Sequence, residues 1–357
     1  MAAISRLMRP ARLAIRIERL LQLRIKPYDG NMTLTVLQRL VLILVALLVM
    51  SSGNAARHEY PDKPLRLILP FPGGEGEAVA RIIALAVGKS LGQSVVVENK
   101  PGAAGNIAAE FVARSPADGY TLLMGFSTIF EINPLLYREL RFDAADFAPV
   151  SLVAETHLVL VVNPSVPARS VQELIDHAKA NPGKLTFASA GVGSPLHLAG
   201  ELFMSRTGVK LLHVPYKGGG AAATATAVLG GFADVLFGTV TTSLANIQAG
   251  KVRALGVTGT RRFDVLPDVP TMAEAGVSGY NVTAWHSIAV PAATPRPIVQ
   301  RLQSEIAKAI AAPDVRESLE RAGVIPVSST GEEVARRIET ETEHWRRVIK
   351  DAGIEPE

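Results

Sequence analysis

The feature that most constrains the fold of this chain is a near-unbroken alternation of short apolar strand patterns with helical patterns from Leu65 onward. Strands read at Leu65 to Leu69, Val95 to Glu98, Thr121 to Met124, Leu158 to Val162, Leu185 to Ala188, Leu211 to Val214, Asp234 to Phe237, Arg253 to Val257 and Ser287 to Val290. Strand and helix in turn predict an α/β architecture with mostly parallel sheets, since a parallel neighbour is reached only through a crossover long enough to hold a helix. Helix starts carry their own signals. Ser170 with Glu173, Thr271 with Glu274 and Thr330 with Glu333 have capping-box spacing, and Ser194 before Pro195 reads as an N-cap followed by a first helical residue. At 357 residues the chain exceeds one typical core and predicts two lobes. The crossings between them are expected at Leu158 to Val162 and at Asn281 to Val290, giving one lobe of 57–157 plus 281–357 and another of 158–280.

The basic balance of the whole chain misleads. Seven Arg and Lys stand against two acidic residues before Met32, and Arg39 adds one more, so the overall charge of +4 leaves a body of about −2. That excludes a nucleic-acid surface on the folded body as an expectation. Val41 to Met50 is uninterrupted apolar, preceded by Arg39 and followed by small residues to Ala56. Such a run is too short for a membrane span and reads as an export signal at about 32–56, with 1–31 an upstream extension and the start open between Met1 and Met32. There is no cysteine, so disulfides, thiol nucleophiles and thiolate metal sites are excluded.

Three units in which a strand breaks on glycine and enters a helix carry the functional signal: Leu65 to Glu77, Ser189 to Ser194, and Lys217 to Gly220. The first amides of a helix lack intrahelical acceptors and sit in the positive end of its dipole, so such turns cradle anions. Hydrolytic signatures such as G-x-S-x-G and H-E-x-x-H are absent from the sequence, and its seven histidines are scattered. The reading is a small-molecule binding protein with no catalytic residues, no metal and no cofactor.

Taken in order, the residues resemble the Bug (Bordetella uptake gene) family of extracytoplasmic solute receptors, the TctC-like binding proteins of tripartite tricarboxylate transporters. The resemblance rests on Tyr60-Pro61-Asp62-Lys63-Pro64-Leu65-Arg66, Pro70-Phe71-Pro72, Val96 to Asn106, Asp118 to Leu123, Ile132-Asn133-Pro134, Asp146 to Val150, His197 to Glu201, His213 to Gly218, Lys251 to Leu255 and Leu266 to Thr271. It covers essentially everything from Tyr60 to the C-terminus. It implies a two-lobed, type II periplasmic-binding-protein fold that closes like a clamshell on a small organic acid, a periplasmic location, membrane permease subunits as partners and a monomer. A receptor feeding a signalling partner instead of a permease fits the same chain. In relatives the loop after the first strand reads Pro-Phe-Pro-Pro-Gly-Gly, then two small or polar residues and an Asp; here one Pro is missing, Glu75 replaces a neutral residue and Glu77 takes the Asp position.

Candidate contacts follow from the loops and the resemblance together. In lobe one they are Phe71, Pro72, Gly73, Gly74 and Glu77, then Asn106, which reads equally as a helix cap, and Ser127 at the end of its strand. In lobe two they are Ser189, Gly191, Gly193, Ser194 and His197, then Tyr216, Gly218 and Gly219, with Asp234 open between ligand contact and strand-end cap. Glu75 is open: facing the cleft it opposes a carboxylate and favours an ammonium or hydroxyl group, and facing solvent it changes nothing. Trp285 and His286 are expected either to wall the pocket or to lie in the core, and Trp345 to brace lobe one.

Overall fold

The structure is a computed structural model that describes residues 60–216 and 220–356; the segment expected to hold an export signal, Lys217, Gly218 and Gly219 lie outside the described residues. The first strands are β1 (Leu65–Leu69), β2 (Val95–Asn99) and β3 (Thr121–Phe126), joined through α1 (Gly74–Leu91) and α2 (Asn106–Ala113). β1 pairs parallel with both β2 and β3, as strand-helix alternation requires. Leu65, Leu67 and Leu69 share one face with Val79, Ile83 and Val87 of α1, while Ile68 points to the other, with Val112 of α2. With both faces covered, the strand reads as a continuous apolar run.

A 16-residue strand, β4 (Phe147–Val162), follows the short helix α3 (Asn133–Leu136). Beyond it come α4 (Val171–Ala180), β5 (Thr186–Ser189), α5 (Pro195–Thr207), β6 (Leu212–Pro215), α6 (Gly220–Leu229), β7 (Val235–Thr239), α7 (Val240–Gln248) and β8 (Arg253–Val257). The chain returns through β9 (Thr283–Pro291) and ends in α8 (Arg296–Ala311), α9 (Pro313–Arg321), β10 (Ile325–Pro326) and α10 (Gly331–Asp351). The strand order is β2-β1-β3-β9-β4-β7-β5-β6, with β8 and β10 also paired to β4.

β4 changes partner midway. From Phe147 to His157 it runs antiparallel to β9, and from Leu158 to Val162 antiparallel to β7 and β8. Parallel pairing therefore holds for β1–β3 and β5–β7, while the middle of the sheet is antiparallel. The expectation of mostly parallel sheets missed this because the first half of β4 carries Pro149, Ser151, Glu155, Thr156 and His157 and two register shifts, which blur its strand pattern.

Most start signals act as read. Ser170 accepts from the Glu173 amide, Ser194 from the His197 amide, and Thr330 with Glu333 forms a full capping box. Thr271 and Glu274 make the same reciprocal bonds, yet the chain leaves helical geometry at Gly276, whose φ is +94°, so the box closes a single turn and no helix follows. Trp345 does not pack as expected. Val334, near the start of α10, joins the cluster around Ile68 and Trp285, whereas Trp345, Val348 and Ile349 join Leu136 and Phe203 in the core of the 158–282 half. A 21-residue helix is about 30 Å long, enough to touch both cores.

Candidate functional site

Three loops converge where β1, β2 and β3 end. Gly73, at φ +82° and ψ 170°, precedes α1 and offers no side-chain cap to its first turn. Gly76 is buried there, and a Cβ on it would stand 2.7 Å from Cζ of Phe126 and 3.8 Å from Nε2 of His286. Phe71 meets Phe126 edge-on at 4.8 Å, and Phe126 meets His286 at 4.6 Å. A Cβ on Gly105 would press on Ile129 and Phe71, so the loops before α2 and after β3 lie against the first. Asn133, buried, ties them by donating its Nδ2 to Asn106 Oδ1 at 2.6 Å and to the Ala104 carbonyl at 3.0 Å. Asn106 is thus held by a side-chain bond, and the N-cap position belongs to Gly105. Ser127 is buried, and its hydroxyl makes no hydrogen bond within the described residues.

Glu77 has a different task from the one expected. Its Oε2 accepts the Gly73 amide at 2.6 Å and its Oε1 pairs with Arg81 at 2.5 Å. The Gly73 N–H, and after it Arg81, hold this carboxyl below the usual range. Glu77 therefore fastens the loop, leaving the amides of Gly74, Glu75 and Gly76 as the donors of a helix's first turn, which lack intrahelical acceptors.

The second cradle is organised by its own side chains. Ser189 Oγ lies 2.6 Å from Nε2 of His213 and accepts the Gly191 amide at 3.0 Å. Ser194 Oγ donates to the Gly191 carbonyl at 2.8 Å, and the Gly193 amide donates to His197 Nδ1 at 3.2 Å. With Nδ1 accepting, the His197 proton sits on Nε2, 3.2 Å from Glu201. His197 stacks on His213 at 4.0 Å, and Phe187 stacks against both rings. A Cβ on Gly193, at φ +75°, would collide with Cδ1 of Leu136, so this loop lies against α3 beside Asn133. Ser189 and His213 have the spacing of a nucleophile and base, but Ser189 is fully buried and its hydroxyl is engaged with Gly191. Burial, with His197 adding to it, also pushes His213 down to about 4, which makes it a poor base at neutral pH.

Tyr216, half-buried, donates its amide to the Ser189 carbonyl and joins this rim. Asp234 does not. Its Oδ2 accepts both the amide and the hydroxyl of Thr186 at 2.8 Å, at the starting end of β5, across the sheet from Ser189. It resolves as a strand-end cap, removed from the loops. Pro72 is exposed beside Gly73, and Gly218 and Gly219 lie outside the described residues. Trp285 and His286 are buried core groups. Trp285 Nε1 donates to Glu131 at 2.8 Å and to Glu341 at 3.3 Å, and Arg337 binds both Glu341 and Glu155.

Glu75 faces inward. Its Oε1 accepts from Thr156 on β4 at 2.9 Å and its Oε2 from Thr241 at the start of α7 at 3.1 Å. Burial raises this carboxyl above the usual range, against the lowering effect of the two threonines. Thr241 also lines a cavity of about 430 Å³ with Arg261, Phe263, Arg316, Arg321 and Gly323. Sequence reading left Glu75 open, placed Thr241 only among the threonines of a cleft rim, and missed Thr156 and Asn133 because no local pattern marks partners that distant chain segments bring together.

Glycine turns at the ends of two parallel strand sets, on either side of a strand that changes partners, suit a small-molecule binding protein. Residues 79–354 match the family described as "Tripartite tricarboxylate transporter family receptor", and the chain belongs to that TctC family. It is 41% identical over 317 residues to the UPF0065 protein in the tcbD-tcbE intergenic region of Pseudomonas sp. (strain P51), covering 87% of this chain and 94% of that one. It is 35% identical to the protein BugT of Bordetella pertussis, covering 88% and 97%. The solved structure of R. palustris Rpa4515 with adipate shares 36% identity at a TM-score of 0.75, covering 84% of this chain and all of that one. No described helix is long and apolar enough to cross a membrane.

Proposed function

We infer that the chain is an exported receptor that captures a small carboxylate-bearing metabolite between two lobes, 57–157 plus 281–357 and 158–280, and delivers it to the permease subunits of a tripartite tricarboxylate-type transporter. The observation that carries the reading is the first turn of α1: its donors follow a glycine cap with no side chain, and the uncommitted hydroxyl of Ser127 ends a neighbouring strand. A carboxylate bound there gains amide hydrogen bonds and the helix field without a buried cation. The loop at Ser189 to His197 supplies the opposing wall, so a ligand touching both sides favours the closed arrangement by whatever it gains from the second. The adipate on the R. palustris relative supports an organic acid as the ligand class.

The test is a thermal-shift screen of mono-, di- and tricarboxylates against the full chain. A ligand at 100 times its Kd adds about 2.7 kcal/mol, which for a body of this size raises Tm by about 4 °C. Shifts with organic acids, absent with sugars and amines that lack a carboxylate, support the reading; no acid producing a shift contradicts it.

A further inference from the structure

The arrangement around Glu75 allows a step further, one that rests on the carboxylate-receptor reading. Glu75 stands in the same first turn as the proposed acid-binding amides, two residues after Gly73. Its side chain neither caps that turn nor reaches for a cation. It spans to Thr156, one residue before β4 leaves its pairing with β9, and to Thr241 in the first turn of α7. Both partners are neutral hydroxyls, and among the described residues no Lys, Arg or His lies within ion-pair distance of this carboxylate. When ionised, a desolvated carboxylate with hydroxyl partners alone has no cation to answer its charge, and each oxygen retains a lone pair for a further donor. The neighbouring Glu77 shows the contrast, since its charge is answered by Arg81 and the Gly73 amide.

The geometry points to Glu75 as a specificity-determining residue: it selects an organic acid that also carries a hydrogen-bond donor, an ammonium foremost and a hydroxyl second, and it disfavours a ligand with a second carboxylate. A donor group placed against Glu75 completes its hydrogen bonding and, if cationic, neutralises it in a site where screening is weak. A second carboxylate meets like charge there instead. The raised proton affinity of the group is in keeping with an unanswered charge. The same residue links the segment before β4's change of partner to α7 behind it, so a ligand that engages Glu75 acts on the contacts joining the two halves.

Titration calorimetry on the full chain and on Glu75→Gln tests this with two matched sets of acids: adipate, 6-hydroxyhexanoate, 6-aminohexanoate and hexanoate, and their four-carbon counterparts succinate, 4-hydroxybutyrate, 4-aminobutyrate and butyrate. In the set that binds, the wild-type protein is expected to prefer the amino acid to the diacid by at least about tenfold, and Glu75→Gln to lower that ratio at least about tenfold. Thr241→Val provides a second reading should Glu75→Gln fail to fold: removing one hydroxyl from the carboxylate is expected to raise the preference for the ammonium at least about threefold. A diacid preferred by the wild-type protein, or a ratio unchanged in Glu75→Gln and Thr241→Val while acids still bind, overturns the role of Glu75 and leaves the receptor reading standing. Failure of all eight acids to bind any of these proteins removes both.

Discussion

His286 gives the account a quantitative handle. It sits in β9 opposite Ala154 and Phe126, is 2% exposed, and its Nδ1 has no partner. Burial pushes its pKa from the ordinary 6.5 down to about 4. Because the folded-state value is depressed, the neutral ring's contribution is fully present above about pH 6.5 and is lost as pH falls through about 4. At about 1.36 kcal/mol for each tenfold change in proton affinity, the loss is about 1 kcal/mol by pH 5.5 and 2 to 3 kcal/mol by pH 4.5. The perturbation is His286→Phe, which keeps an aromatic ring against Phe126 and removes the titration. Urea unfolding of both proteins at about pH 7.5, 5.5 and 4.5 supplies the comparison, since His157 and His213, also pushed down to about 4, are common to both and cancel. The stability of the variant relative to wild type should rise by 2 to 3 kcal/mol between the highest and lowest pH. A difference that stays constant within about 0.5 kcal/mol, or a ring that titrates near its ordinary value by NMR, would refute the assignment of His286 as a desolvated core group.

Three more outcomes follow from the same geometry. Glu131 is fully buried, and desolvation with Glu341 beside it raises its carboxyl well above the usual range, so its ionisation costs stability as pH rises. Glu131→Gln keeps an acceptor for Trp285 and offers Glu341 a donor, and should raise Tm at pH 7 while flattening its decline between about pH 5 and 7. Gly73→Val places a side chain into open space at a backbone angle reserved for glycine; it should cost about 1 to 3 kcal/mol in denaturant unfolding and abolish the acid-induced thermal shift, and a retained shift would move the site off this turn. Asp234→Ala strands the Thr186 amide and hydroxyl, so it should lower stability by about 1 to 3 kcal/mol while leaving acid affinity within about twofold by calorimetry; a large loss of affinity would return Asp234 to the site.

Much of this architecture is legible in local sequence because a short apolar strand reports only on its own burial. β1 and β8 fall where apolar runs place them, and the glycine turns at Gly73 and Gly193 take left-handed angles that only glycine adopts without strain. The first half of β4 is not legible, since a strand that carries polar residues and two register shifts has no steady period of two. The second cradle illustrates the same boundary. Its residues are brought together in one loop as the strand, glycine and helix pattern implies, but that Ser189, Ser194 and His197 spend their polar atoms within the loop depends in part on His213, which arrives from the neighbouring strand. Asp234 and Glu75 mark the two directions of that uncertainty. Each is an acidic residue beside a strand end or a helix start, and only tertiary pairing makes one a strand-end cap and turns the other inward.

The claim that everything else depends on is an acid group held by the first turn of α1. A crystal structure with whichever acid gives the largest thermal shift addresses it directly. The account predicts carboxylate oxygens within hydrogen-bond distance of the amides from Gly74 to Gly76 and of Ser127 Oγ, with the Ser189 to His197 loop on the ligand's other side. An acid seated instead among Arg261, Arg316 and Arg321, with those amides facing water, would contradict it.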